Sequence, residues 1–223
     1  MNLFDQYYEF LIAENEKYNL TSITNCEEVK IKHFEDSLAV QKAVDLSKVE
    51  TLCDIGSGAG FPGIPLKIIH PDLKVTIIEP SKKRCTFLNN LVLLLKLKDV
   101  IIINDRAEDW IKKNKVSFDV VVARAVSQLC ILSELCLPYV KVGGLFIAMK
   151  GDHYQEEVEE GQWAIKTLGG KLIDIILYDL SMDYGKRSLI VIRKDHHTDV
   201  KYPRPFHQIK NKPLLNGGKR WEK

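Results

Sequence analysis

The segment Asp54-Ile55-Gly56-Ser57-Gly58-Ala59-Gly60-Phe61-Pro62-Gly63 limits what this chain can fold into more than any other stretch. It follows residues 49–55, a short apolar run that reads as a buried strand, and it opens residues 62–69, which read as a helix. Four glycines within residues 56–63 permit tight turning and let a ligand approach the backbone closely. Gly58-x-Gly60-x-x-Gly63 matches the dinucleotide fingerprint formally, and Glu79 lies 19 residues beyond Gly60, where a carboxylate suits a ribose. A nucleotide-bearing ligand at the end of this strand is the expectation.

The rest of the chain agrees with an α/β architecture. Residues 2–18 place apolar side chains on one broad face of an amphipathic helix, and residues 19–25 read as a loop. Asn25 is suited to cap a second helix over 26–40. Strands are then expected at 49–55, 74–78, 100–104, 118–123 and 143–150, with helices at 62–69, 81–97, 127–140 and 154–168. That alternation implies a parallel sheet covered on both faces. The runs 172–178 and 188–193 are joined too tightly for a packed helix, so they pair as an antiparallel hairpin. A mostly parallel, Rossmann-like sheet finished by a hairpin resembles the class I S-adenosylmethionine-dependent methyltransferase fold. Three parts are expected: an N-terminal helical extension (1–48), a core (49–194) and a C-terminal tail (195–223).

NAD and S-adenosylmethionine both need an acid on the ribose, but only NAD offers a pyrophosphate to a helix N-terminus. In the dinucleotide pattern the first fingerprint glycine closes the strand. Here Gly56 and Ser57 intervene, so Asp54-x-Gly-x-Gly-x-Gly favours S-adenosylmethionine over a nicotinamide cofactor. Asn104 to Trp110 follows the third core strand, where Glu108 or a backbone amide suits the adenine. Arg124 follows the fourth, at the edge where open α/β sheets gather ligands. That strand end carries Ala123-Arg124-Ala125-Val126 in place of the Asn/Asp-Pro-Pro-aromatic motif of exocyclic amine methyltransferases. A ring nitrogen such as guanine N7 already exposes a lone pair, so its methylation requires alignment more than a base. Methyl transfer to a small molecule or protein, a nicotinamide-dependent oxidoreductase and a nucleotide-binding regulatory module stay open on the residues alone.

Charge points to the acceptor's class. The net charge is +2, but from Arg193 onward nine Lys/Arg stand against three Asp/Glu, a net +6 that leaves −4 for residues 1–192. Such asymmetry suits a polyanion. Phe206 and Trp221 within that tail suit base stacking. The five cysteines form no C-x-x-C pair and no zinc-ligand spacing, so reduced thiols and no metal are expected. No run of 18 apolar residues and no leader-like N-terminus occurs, so a cytoplasmic protein without a membrane partner is expected.

Asn19-Leu-Thr21, His33-Phe-Glu-Asp-Ser-Leu38, the Asp54-to-Leu66 stretch, Arg106-Ala-Glu108, Ala123-Arg-Ala125 and Met149-Lys-Gly151 occur in that order. Together they resemble the bacterial glucose-inhibited division protein B family, guanine-N7 methyltransferases of small-subunit (16S) ribosomal RNA. The resemblance implies a site with S-adenosylmethionine held by Gly56, Gly58, Gly60, Phe61, Glu79, Ala107, Glu108 and Arg124. It implies RNA contacts at His33 and Lys150, with Arg124 and Lys150 the candidates nearest the chemistry, while the charge of the tail favours RNA phosphate contacts at Arg204, Lys210 and Lys212. It also implies a monomer acting on 16S RNA or the small subunit, with no DNA partner. After Tyr202-Pro203-Arg204 the chain lacks the Gly-Thr-Pro common in that family.

Overall fold

A computed structural model describes residues 2–124 and 127–215 of the chain. The first helix, α1 (Leu3–Tyr18), starts at a reciprocal cap: the Asn2 side chain accepts the Asp5 N–H, and the Asp5 carboxylate accepts the Asn2 N–H. Asn25 caps α2 (Cys26–Val29) as the sequence suggests, accepting the N–H groups of Glu27 and Glu28. The single helix expected over 26–40 is interrupted, however. Lys30–Glu35 forms a π-helical stretch, followed by α3 (Asp36–Leu38) and a 3₁₀ turn. Such wide turns cannot be read from apolar spacing, and they recur at functional sites.

Seven strands form one sheet: β1 (Thr51–Ile55), β2 (Lys74–Ile78), β3 (Val100–Ile103), β4 (Phe118–Arg124), β5 (Val140–Lys150), β6 (Gly170–Asp179) and β7 (Lys186–Lys194). Their order is β3-β2-β1-β4-β5-β7-β6. The first five run parallel, and β7 pairs antiparallel with both β5 and β6. The expected hairpin is present, and its second strand slots between β5 and β6. The intervening helices are α4 (Gly63–Ile69), α5 (Lys82–Leu94), α6 (Ala107–Lys113), α7 (Leu129–Cys136) and α8 (Gln155–Thr167). Ser81 caps α5 with its hydroxyl. The helix expected over 127–140 ends at Cys136 in favour of a 3₁₀ turn, because Pro138 has no N–H to continue it.

The chain winds outward from β1 to β3, then crosses back to β4. The crevice beyond the C-terminal ends of β1 and β4 is therefore the switch point at which such sheets bind ligands. Each sheet face has its own core. One is built on Phe34, Ile64, Phe87, Leu88 and Leu91, and takes Tyr7 and Leu11 from α1. The other is built on Leu129, Leu132, Tyr139 and Phe146, and takes Ile209 from α9 (Phe206–Asn211). Both terminal segments thus share their cores with the sheet, and residues 195–215 pack on the molecule rather than trail from it. Among the described residues no helix is long and apolar enough to cross a membrane.

Candidate functional site

The glycine loop leaves β1 at Asp54, whose buried carboxylate accepts the Gly63 N–H at 2.7 Å and ties the loop's two ends together. A Cβ on Gly63 would stand 2.8 Å from that carboxylate oxygen, so only glycine fits. Gly60 is equally constrained, at φ +105° with a virtual Cβ 2.6 Å from the Tyr7 hydroxyl. That hydroxyl donates to the carbonyl of Ala59, so α1 buttresses the loop from behind. Burial pushes the Asp54 carboxyl up to about 7.

In front of the loop lies a cleft of about 370 Å³. Gly56, Glu79, Ala107, Glu108 and Arg124 line it together with Ile55, Ile78, Arg84, Arg106, Leu135 and Phe206. Five of the eight residues expected to hold the cofactor thus meet in one place. Glu79 is 1% exposed, and its carboxylate accepts the Gly58 N–H and the Ser81 N–H, both at 3.0 Å. An ionised carboxylate has about four acceptor positions, so two remain open to a ligand. Gly58 does not line the cleft and touches it only through Glu79. Gly60 and Phe61 stand behind the cleft. The Phe61 ring stacks on Tyr7 (5.3 Å between centroids) and His33 (4.5 Å), with the Arg124 guanidinium 5.0 Å above it. The apolar end of the cleft, the carboxylate beside its loop and its volume fit a ligand that joins a base, a ribose and a charged arm.

A second cavity, about 590 Å³, adjoins the first. Lys32, His33, Asp36, Arg124, Lys150 and Arg187 are among its lining residues. Asp36, 4% exposed, organises it. One carboxylate oxygen accepts from Arg124 Nη1 at 2.9 Å and the other from the Tyr178 hydroxyl at 2.8 Å, while Arg187 Nε lies 3.8 Å away. The π-helical stretch presents the Lys32 carbonyl to the same guanidinium at 3.2 Å. His33 is held by Thr21 (Nε2 to Oγ1, 2.9 Å), and burial beside the Arg124 charge lowers its pKa to about 4. Lys150 donates to the Ser127 carbonyl and pairs with Glu157 at 2.6 Å. Sequence reasoning missed Lys32, Arg187 and Asp36's organising role. Only the acidic residue within His33-Phe-Glu-Asp36 signalled any of them.

The tail candidates separate. Arg204 turns inward: its backbone and side chain make four contacts of 2.6–3.2 Å with Glu134, which has no exposed surface. Arg204, expected as an RNA contact, has its guanidinium held by a buried carboxylate. Lys210 and Lys212 are exposed on and just beyond α9. Phe206, expected as a base-stacking group, lies under the Arg106 guanidinium (4.2 Å) and lines the first cleft. Trp221 lies outside the described residues. All five cysteines are free, and the described residues form no metal-binding cluster.

A family model described as rRNA small subunit methyltransferase G (GidB) matches residues 1–179. The chain is 51% identical over 213 residues to the ribosomal RNA small subunit methyltransferase G of Staphylococcus saprophyticus, covering 95% of this chain and 89% of that one. It is 50% identical over 203 residues to the protein of that name from Bacillus cytotoxicus, covering 90% and 85%. Among solved structures, an rRNA methylase from Streptococcus thermophilus superposes with a TM-score of 0.51 at 16% identity, over 73% of this chain and 95% of that one. M. jannaschii TYW2, solved in complex with S-adenosylmethionine, gives 0.51 at 19%, over 71% and 74%. At these identities the structures show the fold, which is that of class I S-adenosylmethionine-dependent methyltransferases.

Proposed function

The chain belongs to the ribosomal RNA small subunit methyltransferase G family, and from that membership we infer that it methylates N7 of one guanosine in 16S ribosomal RNA, using S-adenosylmethionine. One observation carries the placement of donor and acceptor. Arg124 lines both cavities, so a ligand in the first and a base in the second meet at its side chain.

The first cleft holds the cofactor. Glu79 takes the ribose hydroxyls, Gly56 and the loop border the methionine arm, and Ala107, Glu108 and Phe206 enclose the adenine. S-adenosylmethionine supplies an electrophilic methyl on a sulfonium. The second cavity receives the guanine and its flanking phosphates, with Lys32, Arg187 and Lys150 as the cations nearest to hand. Lys210 and Lys212 extend this basic character along the tail.

Guanine N7 has no proton to lose, so the protein needs to align the reactants rather than provide a base. His33 suits that demand: it is neutral at pH 7 and fixed by Thr21, a positioning group beside Arg124. Positive charge develops on the base during transfer. The Asp36 carboxylate balances Arg124, so that charge meets an ion pair rather than a bare guanidinium. The protein acts as a monomer in the cytoplasm on 16S RNA or the small subunit, without DNA.

The test uses labelled S-adenosylmethionine and small ribosomal subunits from cells lacking the native enzyme, with the label located by N7-specific cleavage and primer extension. One labelled guanosine is the expected result. Cofactor binding without transfer to either subunits or naked 16S RNA would refute the assignment.

A further inference from the structure

A third cavity, about 410 Å³, opens at the other edge of the sheet, where β4 and β5 begin and β7 ends. The six steps of β4 from Phe118 to Arg124 separate it from the methyl-transfer site by about 20 Å. Lys115, Lys141, Lys194, His197, Thr198 and Tyr202 are among its walls, and among the described residues no Asp or Glu lines it. Lys194 is the unusual member. It is 2% exposed, yet its ammonium donates only to neutral oxygens, the Leu137 carbonyl at 2.6 Å and the Thr198 hydroxyl. Among the described residues no carboxylate lies within ion-pair reach of it, and one of its three N–H donors has no partner. Desolvation lowers its pKa to about 8.

Two of the buried charges are compensated by an opposite charge: Glu134 by Arg204 and Asp36 by Arg124. Lys67 also donates to two carbonyls, but it lines none of the cavities described here, and its role ends with closing the turn after α4. Lys194 differs because its uncompensated charge stands in the wall of an open cavity with two further lysines. Of those, Lys141 is paired with Asp119 at 2.8 Å, while Lys115 is exposed and has no ion pair among the described residues.

We propose that this cavity is a phosphate-binding site that takes a backbone phosphate of the RNA, as a second grip remote from the reacting base. The phosphate's origin in RNA rests on the function proposed above, whereas the affinity for phosphate does not. A phosphate there would supply the missing counter-charge to Lys194 at the root of the basic tail, beside the exposed Lys115.

The test titrates inorganic phosphate into the full chain while amide NMR shifts are followed. Saturable shifts at Ser117, Val142 and Thr198 are expected, and Lys115→Glu should weaken them about tenfold. Absence of these shifts overturns the proposal. Lys194→Met would then be compared with Lys115→Glu, which is placed to leave the fold intact. If Lys194→Met lowers the melting temperature and leaves phosphate binding unchanged, the lysine is only a staple for the tail and the proposal fails. For the RNA assignment, Lys115→Glu should reduce the salt dependence of 16S RNA binding by about one counterion and raise KM with kcat unchanged. Phosphate binding with an unaltered RNA salt slope overturns the assignment to RNA and assigns the site to free phosphate. Phosphate binding in a protein that fails to methylate ribosomal subunits would sink the proposed reaction and leave this site standing.

Discussion

Replacing Arg204 by alanine asks whether the tail is a nucleic-acid arm or a structural strap. Glu134 sits on α7 without any exposed surface, and Arg204 supplies its counter-charge from a side chain 21% exposed. The truncation removes three side-chain contacts and leaves the carboxylate with only the Arg204 N–H, at 2.8 Å. Stranding a buried charge in this way costs about 3–5 kcal/mol. The protein has one escape, which is to release residues 195–215 and let water reach Glu134. That exposes Ile209, whose burial is worth about 1.5–3 kcal/mol, together with its neighbours. The two routes therefore cost similar amounts, and for a chain of this size the melting temperature should fall by about 6–20 °C. Calorimetry and urea denaturation measure it. Pairing Arg204→Met with Glu134→Leu should recover most of the loss, since neither side then strands a charge. A variant that melts within a degree of the parent, while binding 16S RNA more weakly and with a shallower salt slope, would refute the reasoning and restore Arg204 as a phosphate contact.

Other outcomes follow from the same geometry. Glu79→Gln keeps the side chain's shape but loses its charge and one acceptor, so S-adenosylhomocysteine affinity should drop by about 1–3 kcal/mol by calorimetry; unchanged affinity would remove Glu79 from the ribose. Phe206→Ala should weaken the same ligand by about 0.5–1.5 kcal/mol, while Phe206→Trp should preserve it; equal loss in both would argue against an aromatic wall. Arg124→Lys retains a charge but not the fork shared by Asp36 and the Lys32 carbonyl, so methyl transfer should fall at least tenfold with cofactor affinity within threefold. His33, whose pKa is lowered from the usual 6.5 to about 4, contributes stability that is full above pH 6.5 and is lost as pH falls from 6.5 toward 4. His33→Gln should flatten the urea midpoint over that window, and an identical acid slope in both proteins would deny the burial of a neutral ring. Asp54 works in the opposite direction: with its pKa raised to about 7, its contribution is full below pH 3.8 and is lost as pH rises through 7.

What the chain determined locally was readable along it. Strand and helix periods, the Asn25 cap, the glycine loop and the spacing from Gly60 to Glu79 each depend on residues close in sequence, where backbone sterics and apolar alternation decide the outcome. The hairpin was legible too, because its short link leaves no room for a crossover. Tertiary structure decided the rest. Whether β7 lies inside or outside β6 is a choice between two edges of similar local character, settled by burial of Ile190 and Ile192 beside β5. Lys150 and Arg204 read alike in sequence as basic residues near a polyanion. Their partners are 7 and 70 residues away, and only the fold shows Lys150 lining the second cavity and Arg204 turned onto Glu134. Asp36 gathers Arg124 from 88 residues away and Tyr178 from 142, and Phe206 reaches the first cleft from a segment whose charge suggested RNA. Composition gave that tail its polycationic character. Packing of Ile209 and the pull of one buried carboxylate gave it its place, because a charge enclosed in a core must be neutralised by whichever cation the chain can bring to it.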